Sequence, residues 1–325
     1  MGRLRKLALA AMGAVVGLVA LLWLTTPDVR PLRQPGCNLT IQVKDWKGNY
    51  HPFVVGPANP RWVPLRRISP YLRAAAVSGE DQLFYRHQGF DFKAMQAAAR
   101  RDWEEGRFAA GGSTITQQLA KNLYLTRSKS VVRKAREAVI AYYLERELTK
   151  RRILELYLNV VELGPDVYGV EHGARFYFGQ GAASLNPKEA AFLAAMLPGP
   201  KVYNPYKNLR KVERRSRRIL RGMLWAGVLS KQGYLAWRSA EVNVKGMERR
   251  IEQITGEKPE TTLGPEDLQP EPELEPGQPS PEPGASPPPE GQTTPSPSEA
   301  AGEGRPAGAP PEAPTAPLAA PGPRP

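Results

Sequence analysis

The sequence predicts a mainly α-helical body behind one apolar N-terminal helix, with a disordered acidic tail after it. Three observations carry this. Residues 7–24, LALAAMGAVVGLVALLWL, form an uncharged, mostly apolar run behind the cationic start MGRLRK. From about residue 61 to 245, helix-forming runs alternate with glycine and proline, and strand signals are few. Residues 256–325 hold 21 of the 34 prolines, no aromatic residue, 12 acids and 3 bases, a composition that cannot repay the entropy of folding.

Taken in order, residues 1–6 are expected in the cytoplasm and residues 7–24 as a transmembrane signal anchor, near the lower end of what spans a bilayer. The run is long for a signal peptide and no small-x-small cleavage site follows Leu24, which favours retention over removal. Arg3, Arg5 and Lys6 orient the anchor, so the remainder should lie outside the cell inner membrane as a single-pass protein. Arg30 and Arg33 weaken that bias without reversing it, and Trp23 sits where an interfacial aromatic would. Residues 25–60 read as a linker with one short strand in LTIQVKDW.

Residues 61–245 are read as one mainly helical domain. Helices are predicted over 68–79 and over 91–105, the second closed by Gly106. Residues 131–158 form the longest amphipathic stretch, with Val132, Ala135, Val139, Tyr142 and Tyr143 at helical spacing. KEAAFLAAML at 188–197 is apolar nearly all round, which predicts a buried core helix too short to span a membrane.

Charge narrows the partners. The whole chain carries +13 and the tail −9, which leaves +22 on residues 1–255. Such a body expects phosphates, nucleic acid or an acidic lipid surface. The aromatic-interleaved basic surface of a single-strand nucleic-acid binder is not suggested by the residue distribution. A single Cys37 excludes an internal disulfide, and three histidines give no visible zinc cluster.

The chemistry concentrates between residues 80 and 137. In GGSTITQQLAKNLYL, Thr114 and Gln117 fit the capping-box spacing. Past the cap, Thr114, Gln118 and Lys121 share a polar face opposite Ile115, Leu119 and Leu123. A helix N-terminus there would offer N–H groups to an anion, with Lys121 adding a charge two turns along. A capped amphipathic helix with a solvated face explains the same residues. In RKARE, Arg133 and Lys134 precede Glu137 by four and three residues. Two cations beside one carboxylate hold it as an anion, which suits charge positioning or a metal ligand better than proton donation; the alternative is a solvated ion pair. Glu80 opens a segment with Asp81, Phe84 and His87. An adjacent acid and burial would raise its proton affinity toward that of a general base, while simple helix capping accounts for the same pattern. Paired carboxylates beside positioned polar groups fit glycosyl chemistry.

EDQLFYRHQGFD resembles the first block of the peptidoglycan glycosyltransferases, glycosyltransferase family 51. GGSTITQQLAKNLYL resembles their second block, and RKAREAVIAYYLERELTKRRILELYLNVVELG their third and fourth. YGVEHGARFYFGQ and LNPKEAAFLAAMLPGPKVYNP are similar to the closing blocks, and WVPLRRISPYL looks like the monofunctional, biosynthetic branch. The blocks keep the family's order over about residues 61–206. One departure is His172-Gly173, where the family usually carries two alanines.

The resemblance implies a lysozyme-like lobe with a smaller membrane-apposed jaw lobe, and polymerisation of lipid II into glycan strands with inversion and loss of polyprenyl diphosphate. It implies Glu80 as the base on the acceptor 4-hydroxyl, and Glu137 as the second acid, organising the diphosphate side with a divalent cation, magnesium or manganese, as candidate cofactor. Lys121, Arg133 and Lys134 match the cations near the donor diphosphate. Thr114, Gln118 and Asn122 match donor-site polar residues, and Asp81, Phe84 and His87 the supporting first block. The implied partners are lipid II, the growing strand, the membrane and cell-wall synthesis proteins. No S-x-x-K or K-T-G follows the glycosyltransferase region, so no transpeptidase domain is expected. A lytic transglycosylase or muramidase and a non-catalytic membrane-anchored scaffold are the competing readings.

Overall fold

A computed structural model describes residues 2–45, 47–104, 111–126, 130–242 and 244. The chain divides into two units, Met1–Glu273 and Leu274–Pro325, and every described residue lies in the first. Gly106 and the tail from 256, for which disorder was expected, lie outside the described residues.

Helix predominates, as expected. α1 covers Gly2–Leu24 as one 23-residue helix. No helix among the described residues is long and apolar enough to cross a membrane. The expected span is present as a helix. After α1, Arg33 donates to the Glu147 carbonyl at 2.7 Å, and Arg136 donates to the Thr25 carbonyl at 3.3 Å. The stretch read as a linker folds as an antiparallel hairpin of β1 (Leu39–Lys44) and β2 (Tyr50–Val55). Ile41, Val43 and Val55 are buried in the main core.

The body is built on α2 (Pro70–Glu80), α4 (Ile115–Tyr124), α5 (Val131–Glu147), α6 (Lys150–Val160), α8 (Pro187–Ala195) and α9 (Leu209–Trp225). α8 is the predicted core helix. Its residues Ala190 to Ala195 are buried without exception, it starts with Pro187 after an Asn186–Glu189 capping box, and Phe192 alone contributes roughly 2–3 kcal/mol of apolar burial. α2 and α9 pack on it and on each other. The α2–α9 approach depends on two glycines. A Cβ at Gly79 would lie 2.9 Å from Ile219 Cδ1, and one at Gly222 would lie 3.1 Å from Ser78 Cβ. Between α8 and α9, Lys188 and Glu213 form a buried ion pair at 2.8 Å.

The amphipathic stretch over 131–158 divides into two helices. Leu148 closes α5 and Thr149 starts α6, its side chain accepting from Arg152 N at 3.2 Å. A threonine cap ends one helix by starting the next, with neither glycine nor proline to announce it. The buried face of α5 is Glu137, Ile140, Ala141 and Leu144, whereas Val132 and Tyr142 are exposed. The remaining elements are α3 (Phe92–Glu104), a short β3–β4 ribbon (Glu162–Gly164, Val167–Tyr168), α7 (Val170–Phe178) and α10 (Lys231–Ser239). His172 and Gly173 lie on α7, where a Cβ at 173 would meet Leu163 Cδ1 at 2.5 Å. Glycine there accommodates the leucine.

Candidate active site

α2 ends on Glu80, whose backbone position is fixed by the close packing of Gly79 against α9. Its side chain is 4 % exposed, and both oxygens are held. Oε2 accepts from Gln118 Nε2 at 2.7 Å and Oε1 from the Arg215 guanidinium at 2.7 Å. Arg215 also donates to the Gly79 carbonyl at 2.8 Å and stacks over Tyr203. Burial pushes the Glu80 carboxyl up, and Arg215, the Gln118 amide and Lys121 oppose that without cancelling it. The result is a carboxylate with raised proton affinity held in one orientation. That is what a general base requires.

Asp81 faces elsewhere. It accepts from His87 Nε2 at 2.8 Å and from the Ile115 backbone N–H at 3.0 Å. Gly89 N donates to His87 Nδ1 at 3.1 Å, which leaves Nε2 as the nitrogen that donates to Asp81. Burial raises Asp81 first, opposed by these donors. The expectation that the adjacent acid tunes Glu80 is therefore corrected: burial is the leading cause of the shift on each.

The expected anion at the start of α4 is also reassigned. That N-terminus is buried and already occupied. Asp81 takes the Ile115 N–H, and Thr114 Oγ1 accepts from Gln117 N while donating to the Gly89 carbonyl at 2.7 Å. The Gln117 side chain returns to Thr114 N and completes the capping box. The protein's own carboxylate fills the site that a ligand phosphate would have taken. Thr114 is a cap and Asp81 a strut. Phe84 is fully buried, with Lys150 Nζ 4.6 Å from its ring centroid. Lys150 also meets Glu145 at 2.7 Å, and Glu145 accepts from Thr116 of α4.

On α4, Gln118 reaches Glu80, Lys121 is exposed and contributes to the field at Glu80, and Asn122 is half-buried on the next turn. Glu137 is buried on α5 and clamped from its own helix. Arg133 donates to Oε2 at 2.8 Å, and Lys134 pairs with Oε1 while also donating to Ser113 at 3.2 Å. The Arg133–Lys134–Glu137 cluster is thus real, and Lys134 ties it to the loop that leads into α4. A divalent cation does not fit Glu137 as it stands, because each of its oxygens already carries a cationic partner. Among the described residues no group of three or more His, Cys, Asp or Glu side chains could hold a metal ion.

Sequence reasoning missed Arg215, Tyr157 and Glu145. Tyr157, fully buried on α6, donates from its hydroxyl to Gln118 Oε1 at 3.1 Å. Arg215 sits in the run RKVERRSRRILR, where nothing local separates it from its neighbours.

These features define an enzyme site in a mainly helical body: a buried, donor-held carboxylate of raised proton affinity, and cations suited to an anionic substrate. Residues 50–224 match the transglycosylase family. A biosynthetic peptidoglycan transglycosylase of Nitrosospira multiformis is 46 % identical over 168 residues, covering 52 % of this chain and 73 % of the relative. The protein of that name from Acinetobacter baumannii strain SDF is 41 % identical over 204 residues, 63 % of this chain and 86 % of the relative. Penicillin-binding protein 1A from Haemophilus influenzae aligns at a TM-score of 0.35 and 20 % identity, over 68 % of this chain and 25 % of that one, too slight a likeness to bear on the fold. The chain belongs to the transglycosylase family.

Proposed function

We propose that the chain is a peptidoglycan glycosyltransferase that polymerises glycan strands from lipid II, with Glu80 as its general base. Family membership supports the activity. The carrying observation for the base is Glu80 itself, buried, raised in proton affinity and held by Gln118 and Arg215. In this reading Glu80 takes the proton from the acceptor 4-hydroxyl as that oxygen attacks the donor's anomeric carbon. A new glycosidic bond forms with inversion, and the bond to the lipid diphosphate breaks. The diphosphate leaves with both bonding electrons, and Lys121, Arg133 and Lys134 balance its charge. Glu137 orients two of those cations.

The apolar run of α1 is the element proposed to hold the enzyme at the membrane bearing the lipid-linked donor, with the catalytic body on the outer face and in a lysozyme-like lobe-and-jaw arrangement. The run's 18 uncharged residues behind Arg3, Arg5 and Lys6 support this. The test is polymer formation from lipid II by the purified full-length protein. Long glycan strands with wild-type protein and none with Glu80→Gln are expected. Polymer at wild-type rate from Glu80→Gln would sink the base assignment, and soluble fragments released from finished peptidoglycan, with no polymer, would indicate a lytic enzyme.

A further inference from the structure

We infer that Tyr157 is a positioning residue for the base: its hydroxyl locks the Gln118 amide in the orientation that donates to Glu80. This rests on the reading of Glu80 as the base. A glutamine side chain presents an acceptor at one end and a donor at the other, and the two ends exchange when the amide turns over. Gln118 lies between two partners. Tyr157 donates to Oε1 at 3.1 Å, and Nε2 donates to Glu80 Oε2 at 2.7 Å. With the amide reversed, Oε1 would face the carboxylate oxygen and Nε2 the phenol. The first contact sets two acceptors against each other in a buried site, where that costs most.

Tyr157 anchors the Oε1 end because its hydroxyl stays protonated and donates to it, while the carboxylate selects the Nε2 end. Burial, followed by the nearby Glu80 charge, pushes the phenol well above its ordinary value. The ring is wholly buried on α6, which packs against α4, so the hydroxyl is a rigid donor aimed from one helix at a side chain on the next. Tyr157 reaches the reacting groups only through Gln118. It sets the direction of a donor, and that donor, together with Arg215, favours the ionised base against burial. The charged or titratable groups around Glu80 are Arg215 from α9, Lys121 from α4, Tyr157 from α6 and the adjacent Asp81. Among them, Tyr157 is the one whose removal leaves every formal charge in place.

Tyr157→Phe in the full-length protein is therefore the informative change. With the hydroxyl gone, Gln118 Oε1 has lost its buried donor, and the side chain turns away from Glu80 for part of the time to regain one. The expected result is a fall in kcat of about tenfold, KM within about twofold, and a shift of the acidic limb of the kcat–pH profile to higher pH. In a Gln118→Ala background the same substitution should cost less than about twofold, since the path through the amide is already gone. Thermal melting of each variant separates this from unfolding. A wild-type kcat and pH limb in Tyr157→Phe, a full tenfold loss repeated in the Gln118→Ala background, or a wild-type rate in Gln118→Ala alone would each overturn the proposal. Polymerisation by Glu80→Gln would instead overturn the reading beneath it, whatever Tyr157 does.

Discussion

Glu80 and Glu137 are both buried carboxylates, each with side-chain exposure of 4 % and each gripped by two donors. They differ in where the donors come from. Glu137 is clamped by Arg133 and Lys134 of its own helix, one turn away. Glu80 is held by a neutral amide from α4 and by a guanidinium 135 residues further along the chain. The first arrangement exists wherever that turn of helix forms. The second exists only when α2, α4, α6 and α9 have docked. Charge balance thus comes from local sequence, whereas base strength comes from the assembled fold.

The largest effect that can break this comparison is on stability at constant chemistry. Glu137→Gln leaves Arg133 without its carboxylate in a mostly buried place, and should destabilise by about 2 kcal/mol. Lys134, 46 % exposed, regains water and adds little. Glu80→Gln should cost less. It too leaves a mostly buried guanidinium, that of Arg215, without its carboxylate. Burial, however, raises the Glu80 carboxyl above its unfolded value, so its own contribution favours the fold at pH below the unfolded carboxylate range and is lost as pH rises through the folded value. At neutral pH the amide variant should therefore melt closer to the wild-type temperature than Glu137→Gln does, while the enzyme is inactive. Equal destabilisation by the two substitutions in thermal melts would erase the distinction.

Arg215→Met sharpens it next. Removing the long-range cation should lower kcat/KM by tens-fold and shift the acidic limb of the rate profile upward, because burial then acts on Glu80 with less opposition. An unmoved limb would show that Arg215 does not set the base. The smallest effect belongs to Thr114. Thr114→Ala should cost about 1–2 kcal/mol through the lost α4 cap and the Gly89 bond, with KM unchanged, and Thr114→Ser should recover most of it. A raised KM at unchanged melting temperature would instead return Thr114 to substrate contact.

The same contrast explains what could be read from residues alone. α2, α4 and α8 were legible because each carries its start signal within one short window, a first-turn proline on α2, a capping box on α4 and both on α8. The clamp on Glu137 was legible because helical spacing alone places its parts. Three things were not. The division at Leu148 and Thr149 carries no glycine or proline. The α5 face was misjudged because the helix buries Glu137 and exposes Val132 and Tyr142, against the usual preference. Arg215 and Tyr157 are found only by knowing which helices touch, and one arginine among many on α9 bears no mark of its partner. The apolar run of α1 was read as a helix correctly.

The buried pair Lys188–Glu213 acquires a meaning from its position. Glu213 stands two residues before Arg215 on α9, and Lys188 is fixed in the first turn of the core helix α8. A ridge of similar apolar side chains could settle against α8 in neighbouring registers, but a buried charge tolerates only the slot containing its counter-charge. A slip of one residue along α9 would carry the guanidinium about 1.5 Å along the axis and turn it by roughly 100°. Lys188 and Glu213 therefore work as an index pin: they select which arginine of a basic helix looks at the base.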